Sequence, residues 1–369
     1  MRRFRKLCFS VVMAMTLTAT ACASNEVQTD TTAENTQTDT QQETELDITD
    51  EADTTEFETT TPEESEDQIE GGFHVEGTKL LDANGEEFVM RGVNEAHSWY
   101  SAQDTVSLQA ISETGSNVVR LVCGSGATYN ADSVATLQGL IEECKELDMI
   151  VILEVHDGTG DNNISTLEQI ADYWISVKDA LIGEEAYVIL NIANEWYGNW
   201  NQIETWAEGY EEVIPKLREA GIENTIMVDS AGWGQYAQSI GDYGKAIFDS
   251  DPEQNTMFSV HMYGTAGKNE SVITQNLKYA TDQDLCVCVG EFGYKHSDGD
   301  VDEAYIMEYC TENNIGYLGW SWKGNSGGVE YLDIAESFDG STLSADWGEV
   351  LINGEYGIRE TSEPCSIFQ

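Results

Sequence analysis

Short runs of apolar, often branched residues recur along most of the chain, and segments of helical spacing separate them. Eight of these runs have the length of a buried β-strand and lie at residues 88–93, 118–123, 150–155, 188–193, 225–228, 257–260, 285–289 and 317–320. Nearly continuous apolar runs are typical of parallel strands that are covered on both faces. Alternation of strand and helix repeated eight times predicts an α/β fold, the closed (β/α)8 TIM barrel.

The segments between the runs place apolar residues three and four positions apart, as an amphipathic helix does. We expect helices at residues 132–147, 166–181, 203–219 and 345–352. Pro215 lies inside the third of these helices and should kink it, because proline lacks a backbone N–H and clashes with the preceding turn.

A short hairpin is predicted ahead of the first long run. Residues 73–76 and 79–81 form two short segments, with turn signals at Glu76-Gly77 between them and at Asn84-Gly85 after them. We expect this N-terminal β-hairpin to cap the bottom of the barrel.

The first 21 residues have the pattern of a signal peptide. Arg2, Arg3, Arg5 and Lys6 precede an apolar run that ends near residue 21 and is too short to span a bilayer. Cys22 follows directly, which predicts a bacterial lipoprotein that is cleaved before Cys22 and acylated on it. Simple secretion without acylation is the alternative.

Residues 22–70 differ sharply in composition from the rest. Positions 24–70 hold 17 Asp or Glu, no Lys or Arg, and a single aromatic residue, Phe57. Such a segment cannot bury enough apolar surface to offset chain entropy, and its charges repel one another. We therefore predict a disordered acidic linker, followed by one catalytic domain at residues 71–369.

The net charge of the chain restricts the classes of partner that it can bind. The formal net charge of the full sequence is −51, which disfavours nucleic acid and anionic membranes as partners, apart from a possible N-terminal lipid anchor. Six of the eight cysteines lie beyond the leader and show no zinc-like spacing. We expect most of them to be buried free thiols.

Two glutamates stand where predicted strands end. Glu195 follows the run at 188–193, and Glu291 follows the run at 285–289. In a parallel barrel the carboxyl ends of the strands form the catalytic face. Two strand-terminal glutamates in one barrel suggest a hydrolase that works with a pair of carboxylates.

The other strand ends carry a recognisable set of residues. In chain order the set is Arg120, His156, Asn194 with Glu195, His261 with Tyr263, Glu291 and Trp320. This order resembles the pattern of glycoside hydrolase family five, in clan A. The segments at residues 192–197, 228–236, 258–263 and 319–326 resemble, more narrowly, the bacterial endo-β-1,4-mannanases of that family.

The resemblance implies an extracellular enzyme that cuts plant β-mannan polysaccharide with retention of configuration. Glu195 would be the general acid/base and Glu291 the nucleophile, with their carboxyls roughly 5–5.5 Å apart. Arg120 and Tyr263 are candidates to keep Glu291 ionised, and Asn194 would donate to the sugar 2-hydroxyl. The resemblance implies no cofactor and no metal ion.

The remaining residues of the expected site bind substrate. His156 and His261 would orient the polar floor, and Trp320 would offer a flat face beneath a sugar. His97, Trp99 and Trp196 complete the expected set, and Trp200 and Trp233 are further candidates for an aromatic-lined cleft.

Other interpretations stay open from the sequence. The two glutamates could form a structural ion pair, and the histidines could be core residues or metal ligands. A β-1,4-glucanase on the same scaffold is the first alternative. The pair of acids cannot separate the two activities, since mannose differs from glucose only in the orientation of the 2-hydroxyl. A non-catalytic lipoprotein that binds surface polysaccharide is a further alternative. We expect a monomer.

Overall fold

The computed structural model describes residues 71–369, and eight strands of this part of the chain close into a parallel barrel. The expected leader, Cys22 and the acidic linker lie outside the described residues. The strands are β1 (His74–Glu76), β2 (Lys79–Leu81), β3 (Arg91–Glu95), β4 (Val118–Cys123), β5 (Ile150–Val155), β6 (Val188–Asn191), β7 (Ile226–Asp229), β8 (Thr256–Met262), β9 (Val287–Phe292), β10 (Lys295–His296), β11 (Gly299–Asp300) and β12 (Gly316–Gly319). The barrel runs in the order β12-β3-β4-β5-β6-β7-β8-β9, which confirms the predicted fold class.

Helices follow the barrel strands and surround them. They are α1 (His97–Tyr100), α2 (Asp104–Ser112), α3 (Val134–Glu146), α4 (Ile164–Ser176), α5 (Glu204–Glu219), α6 (Gln238–Ser250), α7 (Glu270–Thr281), α8 (Glu303–Glu312), α9 (Gly348–Asn353) and α10 (Ile358–Thr361). Helix α5 continues through Pro215 to Glu219. No helix within residues 71–369 combines the length and the apolar character needed to cross a membrane.

Some predicted boundaries shift by a few residues. The first barrel strand begins at Arg91 rather than at residue 88, and α4 ends at Ser176, five residues before the predicted end. Strand β6 ends at Asn191, so Glu195 lies on the following loop. Strand β9 extends to Phe292, so Glu291 belongs to the strand itself.

The side chains on the two faces of each barrel strand pack into different parts of the interior. Alternate residues point outward to the helices, where they join one large apolar cluster, and inward to the barrel axis. The inward residues near the start of the strands are apolar. We call Val118, Ile152, Ile189 and Met227, with the residues packed beneath them, the bottom layer.

The hairpin β1–β2 closes the bottom layer, as predicted. Its register pairs His74 with Leu81, and the buried side chains of Phe73, Leu80 and Phe88 belong to the same apolar cluster as the bottom layer. The expectation of free thiols is also met, because the six cysteines of the described residues are buried and unpaired.

The chemistry of the barrel interior changes two residues further along the same strands. Because inward positions recur every second residue, the side chains above the bottom layer are those of Arg120, Glu154, Asn191 and Asp229. All four are buried. We call them the upper layer, and the site lies on top of it.

Candidate active site

Glu291 has a hydrogen-bond donor on each carboxylate oxygen. Its Oε1 accepts from Nη1 of Arg120 at 2.9 Å, and its Oε2 accepts from the hydroxyl of Tyr263 at 2.8 Å. The residue is only 3% exposed. Two donors, one of them cationic, therefore hold both oxygens of this carboxylate in place.

Glu195 lies at a sharp turn directly after a continuation of the sheet. The backbone N–H of Asn194 still donates to Val155 on β5, and the backbone N–H of Glu195 then donates to Oδ2 of Asp229 at 2.9 Å. Glu195 itself has a φ of 46°, in the left-handed region that residues with a side chain rarely adopt. These contacts fix the direction in which the Glu195 carboxyl leaves the backbone.

The environment of Glu195 favours the protonated acid. Burial raises the pKa of the Glu195 carboxyl, the negative charge of Glu291 raises it further, and the hydrogen bond from His261 opposes both. That hydrogen bond joins Nδ1 of His261 to Oε1 of Glu195 at 2.9 Å. The two glutamates therefore differ in their surroundings, as general acid and nucleophile should.

The two carboxyls are close together. One oxygen of Glu195, one oxygen of Glu291 and a ring nitrogen of His261 all lie within 4.8 Å of one another. Retaining glycosidases place their carboxyls about 5–5.5 Å apart, whereas inverting enzymes leave about 6.5–9.5 Å for a water molecule. The short separation fits direct attack by Glu291.

The same three residues have the spacing of a metal site, but their protons and charges do not suit one. Both oxygens of Glu291 already accept hydrogen bonds. Burial lowers the pKa of His261, but the charges of Glu291 and Asp229 outweigh it and raise the pKa to about 10. A protonated imidazole has no lone pair for a cation.

Arg120 joins the site to the upper layer beneath it. Its guanidinium is fully buried and lies 3.6 Å from Asp229 and 3.9 Å from Glu154, in addition to its bond with Glu291. It also donates to Oδ1 of Asn191 and, at 2.8 Å, to Oδ1 of Asn194. Burial opposes the charge, but the three carboxylates outweigh burial and keep the Arg120 pKa above its ordinary value.

His156 and Trp320 form one wall of the cleft. The imidazole stacks on the indole, with ring centroids 5.9 Å apart and planes inclined by 19°. Nδ1 of His156 lies 2.9 Å from Oε1 of Glu154. Burial lowers the His156 pKa, but the charge and hydrogen bond of Glu154 raise it overall.

A cleft of about 680 Å³ opens above the two glutamates. Its lining includes Glu195 and Glu291, the expected residues His156, Asn194, Tyr263 and Trp320, and the tryptophans at positions 200 and 233. The side-chain oxygen of Asn194 accepts a hydrogen bond from Arg120, and its Nδ2 donates to the hydroxyl of Thr159 at 3.0 Å. The second amide proton is left for a ligand.

The sequence of the chain matches that of a known family. The family model described as cellulase, glycosyl hydrolase family 5, matches residues 81–326. The chain belongs to glycosyl hydrolase family 5. It is therefore a glycoside hydrolase, and the retaining mechanism is typical of the family.

Individual family 5 relatives are similar over nearly the whole described chain. A mannan endo-1,4-β-mannosidase of Salipaludibacillus agaradhaerens is 49% identical over 297 residues, which are 80% of this chain and 96% of that protein. The same enzyme of Streptomyces lividans is 41% identical, over 81% of this chain and 78% of that protein. A β-mannanase of Thermomonospora fusca, solved as a complex with mannohexaose, has a TM-score of 0.76 and 39% identity, over 81% of this chain and all of that one.

His97 is not placed to bind substrate in this family 5 site, contrary to expectation. Its ring is buried, with Nδ1 2.7 Å from Asp104 and Nε2 3.0 Å from Asp132. Both nitrogens are therefore occupied. His97 instead ties the start of α2 to the loop after β4.

The expectation for Trp196 is also wrong. Its side chain is fully buried, and its Nε1 donates to the carbonyl of Asn163 at 3.2 Å. It is a core residue between α4 and α5. Trp99 is 42% exposed and packs edge-on against His156, but it is not part of the cleft lining.

Three residues beneath the site were not predicted from the sequence: Glu154, Asn191 and Asp229. Asp229 accepts a hydrogen bond from the backbone N–H of Glu195. Burial raises the pKa of the Asp229 carboxyl, but His261 and Arg120 outweigh burial and keep this pKa below its ordinary value. A signal for all three exists in the sequence. Each follows an inward apolar residue by two positions and is polar in an otherwise apolar strand.

Proposed function

We propose that this family 5 protein is a retaining endo-β-1,4-mannanase that hydrolyses mannan, galactomannan or glucomannan. The observation that carries the proposal is the pair of close, differently held glutamates in a chain 49% identical to a mannan endo-1,4-β-mannosidase. The T. fusca relative with mannohexaose supports a β-1,4-linked mannan chain as the ligand.

The first chemical step forms a covalent sugar–enzyme bond. A carboxylate oxygen of Glu291 attacks the anomeric carbon, and the bond from that carbon to the bridging oxygen breaks. Glu195 transfers its proton to this oxygen, so the shortened chain leaves as a neutral alcohol. The hydrogen bonds from Arg120 and Tyr263 aim Glu291 at the carbon during attack.

The second step releases the sugar. Glu195, now a carboxylate, takes a proton from water, and the water oxygen displaces Glu291 from the anomeric carbon. Esterification removes the charge of Glu291, which is one of the causes that raise the Glu195 pKa. The same residue therefore gives up its proton more readily at the stage where it must act as a base.

Polysaccharide hydrolysis tests the substrate. We expect the purified protein to release reducing ends from galactomannan far faster than from carboxymethylcellulose. The Glu291→Ala variant serves as the blank for contaminating activity. Strong release from carboxymethylcellulose with none from galactomannan would replace the mannanase by an endo-β-1,4-glucanase. Binding without release from either polymer would instead indicate a non-catalytic polysaccharide-binding protein.

Proton NMR tests the stereochemistry. We expect the first reducing ends formed from mannohexaose to be β anomers, because two displacements at one carbon restore its configuration. Initial α product would contradict the role of Glu291 as nucleophile.

We further propose that the enzyme acts outside the cell, attached to the membrane by a lipid on Cys22. The cationic residues and apolar run before Cys22 support this location. Cells expressing the full chain should incorporate labelled fatty acid into the protein, and Cys22→Ser should abolish the label. Secreted, unlabelled wild-type protein would favour simple secretion.

A further inference from the structure

The ring of Tyr263 is supported by a histidine that takes no part in the hydrogen bonds around the two glutamates. His296 lies over this ring, with the two ring centroids 4.7 Å apart and the planes inclined by 37°. Tyr263 is buried, and its hydroxyl donates to Oε2 of Glu291 at 2.8 Å. The position of the Tyr263 ring therefore decides where this donor meets the Glu291 carboxylate.

His296 belongs to a short hairpin that begins just after the strand of Glu291. Strand β9 ends at Phe292, and strands β10 and β11 follow it and pair His296 with Gly299. The turn of the hairpin lines the cleft. The base of the hairpin is therefore continuous with the strand that carries Glu291, whereas its turn lies beside Tyr263.

Asp298, in the turn of this hairpin, binds the chain directly after Tyr263. Its Oδ1 accepts from the backbone N–H of Gly264 at 3.0 Å, and its Oδ2 accepts from the backbone N–H and the hydroxyl of Thr265, both at 2.8 Å. Oδ1 also lies 3.2 Å from Nδ1 of His296. Partial burial raises the pKa of the Asp298 carboxyl, but the hydrogen bonds outweigh burial and keep this pKa below its ordinary value. One carboxylate thus holds both the backbone after Tyr263 and the ring above it.

The backbone of the hairpin lies in direct contact with the residue after Tyr263. A Cβ on Gly264 would lie 2.5 Å from Cα of Gly299 and 2.6 Å from the carbonyl carbon of Asp298. Gly299 has a φ of 149°, which residues with a side chain rarely adopt. Glycine is therefore needed at both positions for the hairpin to rest on this segment.

The Tyr263 hydroxyl keeps its proton and is available as a donor. Burial and the charges of Glu291 and Glu195 raise the pKa of the Tyr263 phenol well above its ordinary value. Within residues 71–369 the one hydrogen-bond partner of this hydroxyl is Glu291. The direction of the ring therefore depends on the groups packed against it, and His296 supplies such a group at a distance where aromatic rings attract each other.

We propose that His296 and Asp298, which we call the Tyr263 clamp, are positioning residues for the attack of Glu291 on the sugar. The clamp holds the Tyr263 hydroxyl against Oε2 of Glu291, so the carboxylate stays aimed at the anomeric carbon. The proposal rests on the proposed retaining hydrolysis and adds to it two residues that act through Tyr263. The clamp needs a ring at position 296, because stacking on Tyr263 is what that residue contributes.

A substrate with a good leaving group isolates the step that the clamp affects. 2,4-Dinitrophenyl β-mannobioside needs no proton from Glu195, so its kcat/KM reports the attack of Glu291. We expect His296→Ala and Asp298→Ala each to lower this kcat/KM by about tenfold. His296→Phe keeps a ring over Tyr263 and should keep most of the wild-type kcat/KM. The inhibition constant of mannotriose, which measures binding without attack, should not change.

A double-mutant cycle shows whether the clamp acts through Tyr263. Tyr263→Phe removes the hydroxyl that the clamp positions, so His296→Ala should lower kcat/KM by less than about twofold in that background. A general loss of structure would give the same loss in both backgrounds, and so would direct contact between His296 and the sugar. An equal loss in the two backgrounds would therefore overturn the proposal.

His74→Ala and Asp339→Ala are the matched controls. His74 is an exposed histidine of the hairpin at the bottom of the barrel, and Asp339 is an exposed aspartate that accepts from the backbone N–H of Ser341 at 3.1 Å, within its own turn. Neither residue lines the cleft. Both variants should keep the wild-type kcat/KM, and a tenfold loss in either would contradict a specific role of the clamp.

The outcomes separate the clamp from the mannanase function. A wild type that hydrolyses the corresponding β-cellobioside and not the β-mannobioside would contradict the mannanase function, and the same cycle on the cellobioside would then test the clamp. A wild type that cleaves neither would contradict both proposals. An active wild type, with unchanged kcat/KM in folded His296→Ala and Asp298→Ala, would overturn the clamp alone.

Discussion

The bottom layer and the upper layer of the barrel are built by the same strands but serve opposite purposes. The bottom layer is apolar and is closed by Phe73 and Leu80 of the hairpin. The upper layer begins two residues later on these strands and surrounds Arg120 with carboxylates. A single strand therefore supplies stability at one end and chemistry at the other.

The two layers differ in what their burial contributes. Removing apolar surface from water stabilises the fold by about 25 cal/mol per Å². Burying an ion costs several kcal/mol, which the attraction between partners offsets only when geometry and hydrogen bonds are good. The upper layer is therefore explained by the positions it gives to Glu291 and Glu195, since apolar residues would fill the same space at lower cost.

The largest effect should follow removal of either carboxyl that we propose to be catalytic. We expect Glu291→Ala to lower kcat on mannohexaose by a factor on the order of 10⁴ or more, as for other covalent nucleophiles. Azide then distinguishes the roles of the two glutamates. With Glu195→Ala it should attack the covalent intermediate and give a β-mannosyl azide, whereas with Glu291→Ala it should attack the substrate directly and give the α-azide.

Leu80→Ala, in the bottom layer, is the control for this experiment and should keep the wild-type kcat. Exchange of the two azide anomers between the glutamate variants would reverse the assignment of acid and nucleophile. Formation of neither azide, with both variants folded, would remove these residues from the mechanism.

Arg120 provides the second test of the comparison. Arg120→Met leaves three buried carboxylates without their cation, so we expect it to lower the free energy of unfolding by about 3–5 kcal/mol and to abolish activity. Urea denaturation measures the first effect. The control is Arg218→Met, which breaks the buried ion pair with Asp251, 2.9 Å away. It should destabilise the fold, but the folded fraction should keep its kcat.

Wild-type stability in Arg120→Met would contradict the view that the upper layer depends on this charge. Loss of kcat in folded Arg218→Met would show that any buried ion pair of the barrel affects catalysis. Either result would weaken the distinction between the two layers.

The fold could be predicted from the sequence because buried parallel strands give apolar runs that are easily recognised. The first boundary was misplaced for a physical reason. Phe88 lies before β3 and is not part of a barrel strand. It is apolar because its side chain packs into the bottom layer. Apolar character reports burial, and it does not separate a strand from the cap beneath it.

The residues of the site could be predicted where the chemistry requires a particular side chain. They were harder to predict where the surrounding fold decides whether a side chain is buried or faces the cleft. Glu195 and Glu291 follow from their positions at strand ends. Trp196 and Trp233 look alike in the sequence, but one is buried between helices and the other is held open on glycines. The occupation of both ring nitrogens of His97 depends on Asp132, which is 35 residues away.

The bottom layer should respond only in stability. Leu80 is 4% exposed and packs in the cluster that closes the barrel. We expect Leu80→Ala to lower the free energy of unfolding by about 2–5 kcal/mol, through lost apolar burial and the cavity left behind. Thermal denaturation and steady-state kinetics measure the two properties separately. A fall in kcat at a temperature where the variant is folded would contradict the independence of the layers.

The smallest and most selective effect is a shift of the pH profile when His261 loses its charge. Glu195 must be protonated to act as an acid, so activity falls as pH rises through its pKa. The cation of His261 opposes the burial and the Glu291 charge that raise this pKa. Asn at position 261 keeps a donor near the place of Nδ1 but removes the charge. The alkaline limb of kcat for His261→Asn should therefore move to higher pH.

The matched control is Lys278→Gln, which removes one positive charge from the exposed pair that Lys278 of α7 forms with Asp282, directly after the helix. It changes the net charge of the protein as much as the loss of the imidazolium does, yet it should leave the limb in place, because exposed charges are screened by solvent and salt. A limb that moves to lower pH in His261→Asn would mean that His261 raises the Glu195 pKa. His261, which lies beside Asp229 of the upper layer, would then help to keep the acid protonated. The difference between the two glutamates would have another cause than burial and the charge of Glu291.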